Sequence, residues 1–197
     1  MSPLTRVRRL GEHLPAYGGP QDDPLPPAGG FTASVGVLLR PGPEEIEILL
    51  IRRPESERDP WSGHMAFPGG RRDAVDASLM ETAIRETREE TGIALGDAGH
   101  FLGRLSIVAP LSPHLPPLAI VPFVFAIHAG TPLTPSPAEV ASAHWIPLPH
   151  FHDPAMRTVY RLPSGSGTLT FPGYQTEGGI VWGLTHRILD DLLKRIG

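Results

Sequence analysis

Most of this chain reads as short runs in which apolar residues alternate or crowd together, and three stretches switch to a helical period. Phe31 to Arg40 alternates weakly and turns apolar at Val35, Val37, Leu38 and Leu39, which predicts a strand. Ile46 to Arg52 predicts a second, returned by Pro41-Gly42-Pro43 as a hairpin or as a neighbour in the same sheet. His100 to Val108 predicts another. The β-branched and aromatic run Leu118 to Ile127 predicts a central buried strand, with Pro122 demanding a bulge or an edge at that point. His144 to Leu148 predicts a short strand and turn. Arg157 to Leu162 and Thr168 to Tyr174 predict a hairpin around Ser164-Gly165-Ser166-Gly167.

The helical stretches are equally readable. Leu4, Val7, Leu10 and Leu14 predict a short helix over 5–14, and Leu184, Ile188, Leu192 and Ile196 predict one over 185–196. Between them, Leu79, Ala83 and Ile84 form an apolar stripe on a helix that Asp76 or Ser78 can cap and that ends at Gly92. Residues 17–30, rich in proline and glycine, predict an extended connection in which Asp22 and Asp23 are solvated turn residues. Residues 109–117 predict a loop placed to act as a substrate lid, in which His114 either meets a base or phosphate or is plain surface. Strands alternating with a central and a C-terminal helix predict an α/β/α sandwich around a mixed sheet, occupying residues 31–197 behind an N-terminal helix and extended arm at 1–30.

Composition narrows the function. A chain of 197 residues with 40% hydrophobic content can bury one sizeable core. A net charge of −4 argues against general nucleic-acid binding, and the absence of cysteine excludes disulfides, thiol catalysis and cysteine-zinc sites. No apolar run approaches the roughly 18 residues of a membrane span. Arg6, Arg8 and Arg9 have no apolar signal core after them, so the expected location is cytoplasmic.

The chemistry concentrates in Arg85-Glu86-Thr87-Arg88-Glu89-Glu90-Thr91-Gly92. Glu86, Glu89 and Glu90 fall at i, i+3 and i+4, so a helix puts all three carboxylates on one face. They repel one another unless a cation gathers them, and hard oxygen ligands suit Mg2+ or Mn2+ better than zinc. Upstream, Pro68-Gly69-Gly70 is a tight turn that lets backbone approach a ligand or metal. Arg52, Arg53 and Arg58 precede it and either hold phosphate bidentately or are ordinary surface arginines.

Together these residues resemble the Nudix box, G-x5-E-x7-R-E-U-x-E-E-x-G-U with U aliphatic. Arg85-Glu86, Glu89-Glu90, Gly92 and Ile93 match. Thr87 replaces an aliphatic residue, and five residues after Gly70 stands Asp76, not a glutamate, with eight residues rather than seven before Arg85. The longer Gly-Gly-x-x-Asp-x-x-Asp loop resembles the coenzyme A pyrophosphatase branch. So do Leu49-Leu50-Ile51-Arg52-Arg53, Gly63-x3-Phe67 to Gly70, and the ending Ile180-Val181-Trp182-Gly183-Leu184-Thr185. The Leu-Arg pair of that branch is absent, and Arg58 stands only approximately in its place.

The resemblance implies a Nudix fold and hydrolysis of a diphosphate linkage in a small-molecule substrate. Its metals, Mg2+ or Mn2+, are expected on Glu86, Glu89, Glu90 and the Gly70 carbonyl. Arg85 is expected to orient a glutamate, while Gly69 and the arginines 52, 53 and 58 meet the substrate. Glu89 or Glu139 is the candidate base, although Glu139 could equally pack or cap. Coenzyme A or its acyl derivatives are the first expected substrates, with ADP-ribose, NADH or nucleoside triphosphates as the alternative. A non-catalytic nucleotide sensor on the same scaffold is a third reading. Homodimers are common in the family.

Overall fold

The computed structural model describes residues 2–56, 61–112, 115–165 and 167–197, so Arg58 and His114 lie outside the described residues. The chain begins with α1 (Pro3–Arg9), capped by Ser2. This helix is shorter than the apolar spacing suggests, because residues 10–13 tighten into a 3-10 turn. Val7 is fully buried, which seats α1 on the body of the protein.

The main sheet is built on β1 (Phe31–Pro41), β2 (Ile46–Arg52), β3 (Met65–Ala66) and β4 (Gly69–Arg71). The hairpin β1–β2 is paired only next to its turn, over 39–41 and 46–48. Beyond that the strands splay, and β3 and β4 fill the fork, β3 on β2 and β4 on β1. The Phe67-Pro68 step between them therefore carries the chain across the opening. After α2 (Leu79–Thr91) and the single turn α3 (Leu95–Ala98), β5 (Gly99–Arg104) and β6 (Leu118–Ile127) complete the other half, with β6 parallel to β1. A further strand, β7 (Ser142–Pro147), adds to the free edge of β2.

Both faces of this sheet are covered, so its strands read as continuous apolar runs. Even-numbered residues of β6 join the core under α1 and odd-numbered ones the core under α2, and Leu38 and Leu49 likewise face α2 while their neighbours point away. Leu79 and Ala83 of α2 are fully buried, and Ile84 is half-buried. The sequence-based strand over 100–108 is too long. β5 stops at Arg104, and Val108 touches the sheet again only through a bridge to Ile120. Pro122 explains the break. Its carbonyl still accepts from the Leu105 N–H, but a residue with no N–H cannot continue the ladder on that side.

The C-terminal third departs most from expectation. β8 (Arg157–Ser164), β9 (Gly167–Thr176) and β10 (Gly179–Trp182) form a separate three-stranded antiparallel sheet, and α4 (Gly183–Ile196) follows. Tyr174, Val181, Ile188 and Leu192 bury against the same core as Val7. The layers are thus α2, the mixed sheet, and a third layer of α1, α4 and the small sheet. No helix among the described residues is long and apolar enough to cross a membrane.

Candidate active site

The local sequence of α2 explains how firmly it is set. Ser78 caps it through the Glu81 N–H, and Glu81 reaches back to the Ala77 N–H. Gly92 ends it at φ 73°, a left-handed conformation that suits glycine, and the segment 134–136 closes over that end by donating to the carbonyls of Thr91 and Glu90. The expectation that Asp23 is solvated is overturned. Its side chain is only 4% exposed, and it accepts from the Leu79 N–H at 2.9 Å and the Tyr17 hydroxyl at 2.8 Å. The arm at 17–30 therefore supplies an anion to the N-terminus of α2. Asp22 remains exposed and turns the arm through the Gly18 N–H.

Arg85 is the hub of the acidic face. Its Nε and Nη2 hold both oxygens of Asp76 at 3.0 and 2.9 Å, and Nη1 reaches Glu86 at 2.9 Å and Glu89 at 3.0 Å. Asp76, one of the two candidate caps, thus serves as the partner of Arg85, also accepting from the Thr82 hydroxyl and the Asp73 N–H. Its carboxyl is held down at about 2, first by the Arg85 hydrogen bonds. Arg85 is correspondingly raised. The Gly-Gly-x-x-Asp-x-x-Asp spacing marks a resemblance to the coenzyme A branch but does not show that its last aspartate pairs with the arginine.

Glu90 takes a different path. It is 5% exposed and accepts from the Gly69 N–H at 2.8 Å. Burial pushes its carboxyl up to about 8 against the pull of that N–H and of the Arg53 charge, and the Glu86 and Glu139 charges add to the rise. Glu86, half-buried, is also raised, again chiefly by burial. A Cβ placed on Gly70 would fall 2.5 Å from the Glu86 carboxylate, so that side chain lies directly on the glycine backbone. Glu89 and Glu139 are exposed, with Glu139 on the segment that covers the end of α2.

Gly69, Gly70, Glu86, Glu90 and Arg85 are therefore brought together, with Arg53 and Glu139 within electrostatic reach of Glu90. Arg52 is not. It lies opposite Met65 and Ser142 on the other face of β2 and pairs with exposed Glu55 at 3.3 Å. Among the described residues, no three His, Cys, Asp or Glu side chains stand together as a ready metal cage, and Arg85 Nη1 occupies an oxygen of Glu86 and of Glu89. The donor set still fits a hard divalent cation. It consists of oxygens alone, and a buried carboxylate such as Glu90 stays ionised more readily when a positive charge arrives. Thr87, in the aliphatic position of the box, is fully buried over Gly36, and its hydroxyl has no hydrogen-bond partner. Nothing in the structure explains that choice.

A family model described as NUDIX domain matches residues 30–162. Over 203 aligned residues the chain is 32% identical to an uncharacterized Nudix hydrolase, NudL, of Yersinia enterocolitica, covering 96% of this chain and 94% of that one. An uncharacterized Schizosaccharomyces pombe protein is 39% identical over 120 residues, 59% of this chain but only 36% of its own length. Among solved structures, the NUDIX domain of Shewanella oneidensis NrtR complexed with ADP ribose superposes with a TM-score of 0.52 at 21% identity. That superposition covers 68% of this chain and 80% of that domain, and it bears on the fold alone.

Proposed function

Because the chain belongs to the NUDIX family and is a Nudix hydrolase, we propose that it hydrolyses the diphosphate bridge of coenzyme A or acyl-coenzyme A. The products are 4′-phosphopantetheine and adenosine 3′,5′-bisphosphate. The observation that carries the reading is the buried Glu90, held by the Gly69 N–H and acted on by the charge of Arg53, which belongs to the Leu49 to Arg53 run that resembles the coenzyme A branch. In this reading Glu86, Glu90, Glu89 and the Gly70 carbonyl hold Mg2+ or Mn2+. Held there, such a cation would supply positive charge against the diphosphate and a lowered pKa for a bound water molecule. Arg53 adds a fixed positive charge beside Glu90 for a substrate phosphate. Arg85 positions Glu86 and Glu89 and does not itself meet the substrate. Glu89 and Glu139, both exposed carboxylates at this face, are the candidates to take a proton from water.

A turnover comparison tests the substrate. Coenzyme A, ADP-ribose, NADH, diadenosine polyphosphates and nucleoside triphosphates are each incubated with the chain in Mg2+ and in Mn2+, and the products are separated by chromatography. The expected result is preferential release of adenosine 3′,5′-bisphosphate from coenzyme A. Preference for ADP-ribose would keep the chemistry and overturn the substrate. Turnover of none of them would favour a nucleotide sensor.

A further inference from the structure

Two aromatic residues of the small sheet stack face to face beside the fork. The rings of Tyr160 on β8 and Trp182 on β10 lie 3.8 Å apart and 8° from parallel. The strand between them, β9, presents Gly173 opposite Trp182, so no side chain separates the two rings. His64 packs edge-on against both, at 4.7 Å from Trp182 and 5.9 Å from Tyr160, and Phe171 tilts against Trp182 at 5.3 Å. All four rings are only half-buried. A cluster of this size placed for packing alone would be expected to go under, whereas a contiguous, partly exposed aromatic surface marks places where something binds.

The position of the cluster gives its ligand. The His64 carbonyl accepts from the Arg53 N–H at 3.0 Å, and the Arg53 charge acts on Glu90. Continuing from His64, the chain runs through β3 to Gly69, whose N–H holds Glu90 at 2.8 Å. The aromatic cluster and the carboxylates thus flank one short strand, five residues apart along the backbone. A substrate whose diphosphate lay beside Glu90 and Arg53 could extend one end along β3 toward His64. Planar rings recognise a planar heteroaromatic ring by stacking, with little regard to its hydrogen-bonding edge.

We propose that Tyr160, Trp182 and His64 form the platform on which the nucleobase of the substrate stacks. This rests on the reading of the chain as a hydrolase of a nucleotide-like diphosphate, and it assigns the base-bearing half of that substrate to the small sheet. The test uses the full chain in EDTA, so that neither metal nor turnover enters. Adenosine 5′-monophosphate and ribose 5-phosphate are titrated calorimetrically, because they differ only by the base. Wild type is expected to bind the nucleotide at least about tenfold more tightly than the sugar phosphate. Tyr160→Leu and Trp182→Leu, which keep apolar bulk, are expected to erase most of that difference, and Trp182→Phe to retain it. Thermal melts of each variant identify any that fail to fold, and the wild-type comparison stands without them. Equal binding of the two ligands by wild type overturns the platform, as does an undiminished difference in folded Tyr160→Leu. A base-dependent difference in a chain that cleaves no diphosphate upholds the platform and sinks the hydrolase reading. Turnover without such a difference does the reverse.

Discussion

Glu90→Gln is expected to abolish turnover while making the metal-free chain more stable. Glu90 is almost fully buried, and its carboxyl is pushed from an ordinary 4.5 up to about 8, mainly by burial. The folded chain therefore holds a proton that the unfolded chain gives up between these values. The sign follows directly: stability is unaffected below pH 4.5 and falls as pH rises through the window from 4.5 to 8. The full shift corresponds to about 5 kcal/mol as an upper limit, and relaxation around the carboxylate leaves roughly 1–3 kcal/mol. Glutamine keeps an oxygen for the Gly69 N–H and carries no charge, so the variant should melt higher in EDTA at pH 8 and lose the pH dependence. Loss of a metal-binding carboxylate should reduce turnover by on the order of a thousandfold. Melts across pH 5–8, paired with a coenzyme A assay, check both halves. A variant that melts lower at pH 8 while keeping the wild-type pH slope would show that Glu90 is not a stored cost.

The second large effect is expected for Arg85→Lys. An ammonium carries the charge but not the fork that holds both oxygens of Asp76 while also reaching Glu86 and Glu89. Asp76 is held at about 2 against an ordinary 3.8, and that difference is worth about 2 kcal/mol. Because the folded value is depressed, this stability is present above pH 3.8 and lost as pH falls toward 2. Wild type should therefore exceed the variant in stability at pH 6, and the gap should close on acidification. Glu86 and Glu89 lose their shared partner, so metal affinity or turnover should fall roughly 10- to 100-fold. Urea titrations at pH 6 and pH 3 measure the closing gap. A gap that stays constant between those pH values would contradict the role given to Asp76.

These two residues also show how far the sequence could be read. The three glutamates follow from helical spacing, and α2 follows from its apolar stripe and Gly92, because local periodicity and capping are written in consecutive residues. The strand Leu118 to Ile127 was equally plain, being long, β-branched and closed by polar turns. What the sequence hides is partnership across distance. Asp23 looks like a turn residue in a proline-rich arm, and only the folded path of that arm brings it to the Leu79 N–H. The two adjacent arginines look equivalent, yet the pleat of β2 sends Arg52 to the face of Met65 while Arg53 acts on Glu90. β3 and β4 are too short to show any alternation, so the fork they fill was invisible. The hairpin over 157–174 was readable, but not that it would join β10 as a sheet of its own, since strand pairing is not encoded by the strands' own pattern.

A divalent cation held by the acidic face of α2 is the centre of the proposed chemistry. Titrating Mn2+ into the chain at pH 7, while the free ion is followed by electron paramagnetic resonance and the released acid by pH-stat, tests this without any substrate. Wild type should bind Mn2+ and release about one proton, since the Glu90 carboxyl at about 8 is largely protonated before the metal arrives. Glu86→Gln and Glu90→Gln should each bind at least about tenfold more weakly, and Glu90→Gln should release no proton. Mn2+ binding of wild-type strength in both variants would contradict the account, because the cation would then sit elsewhere.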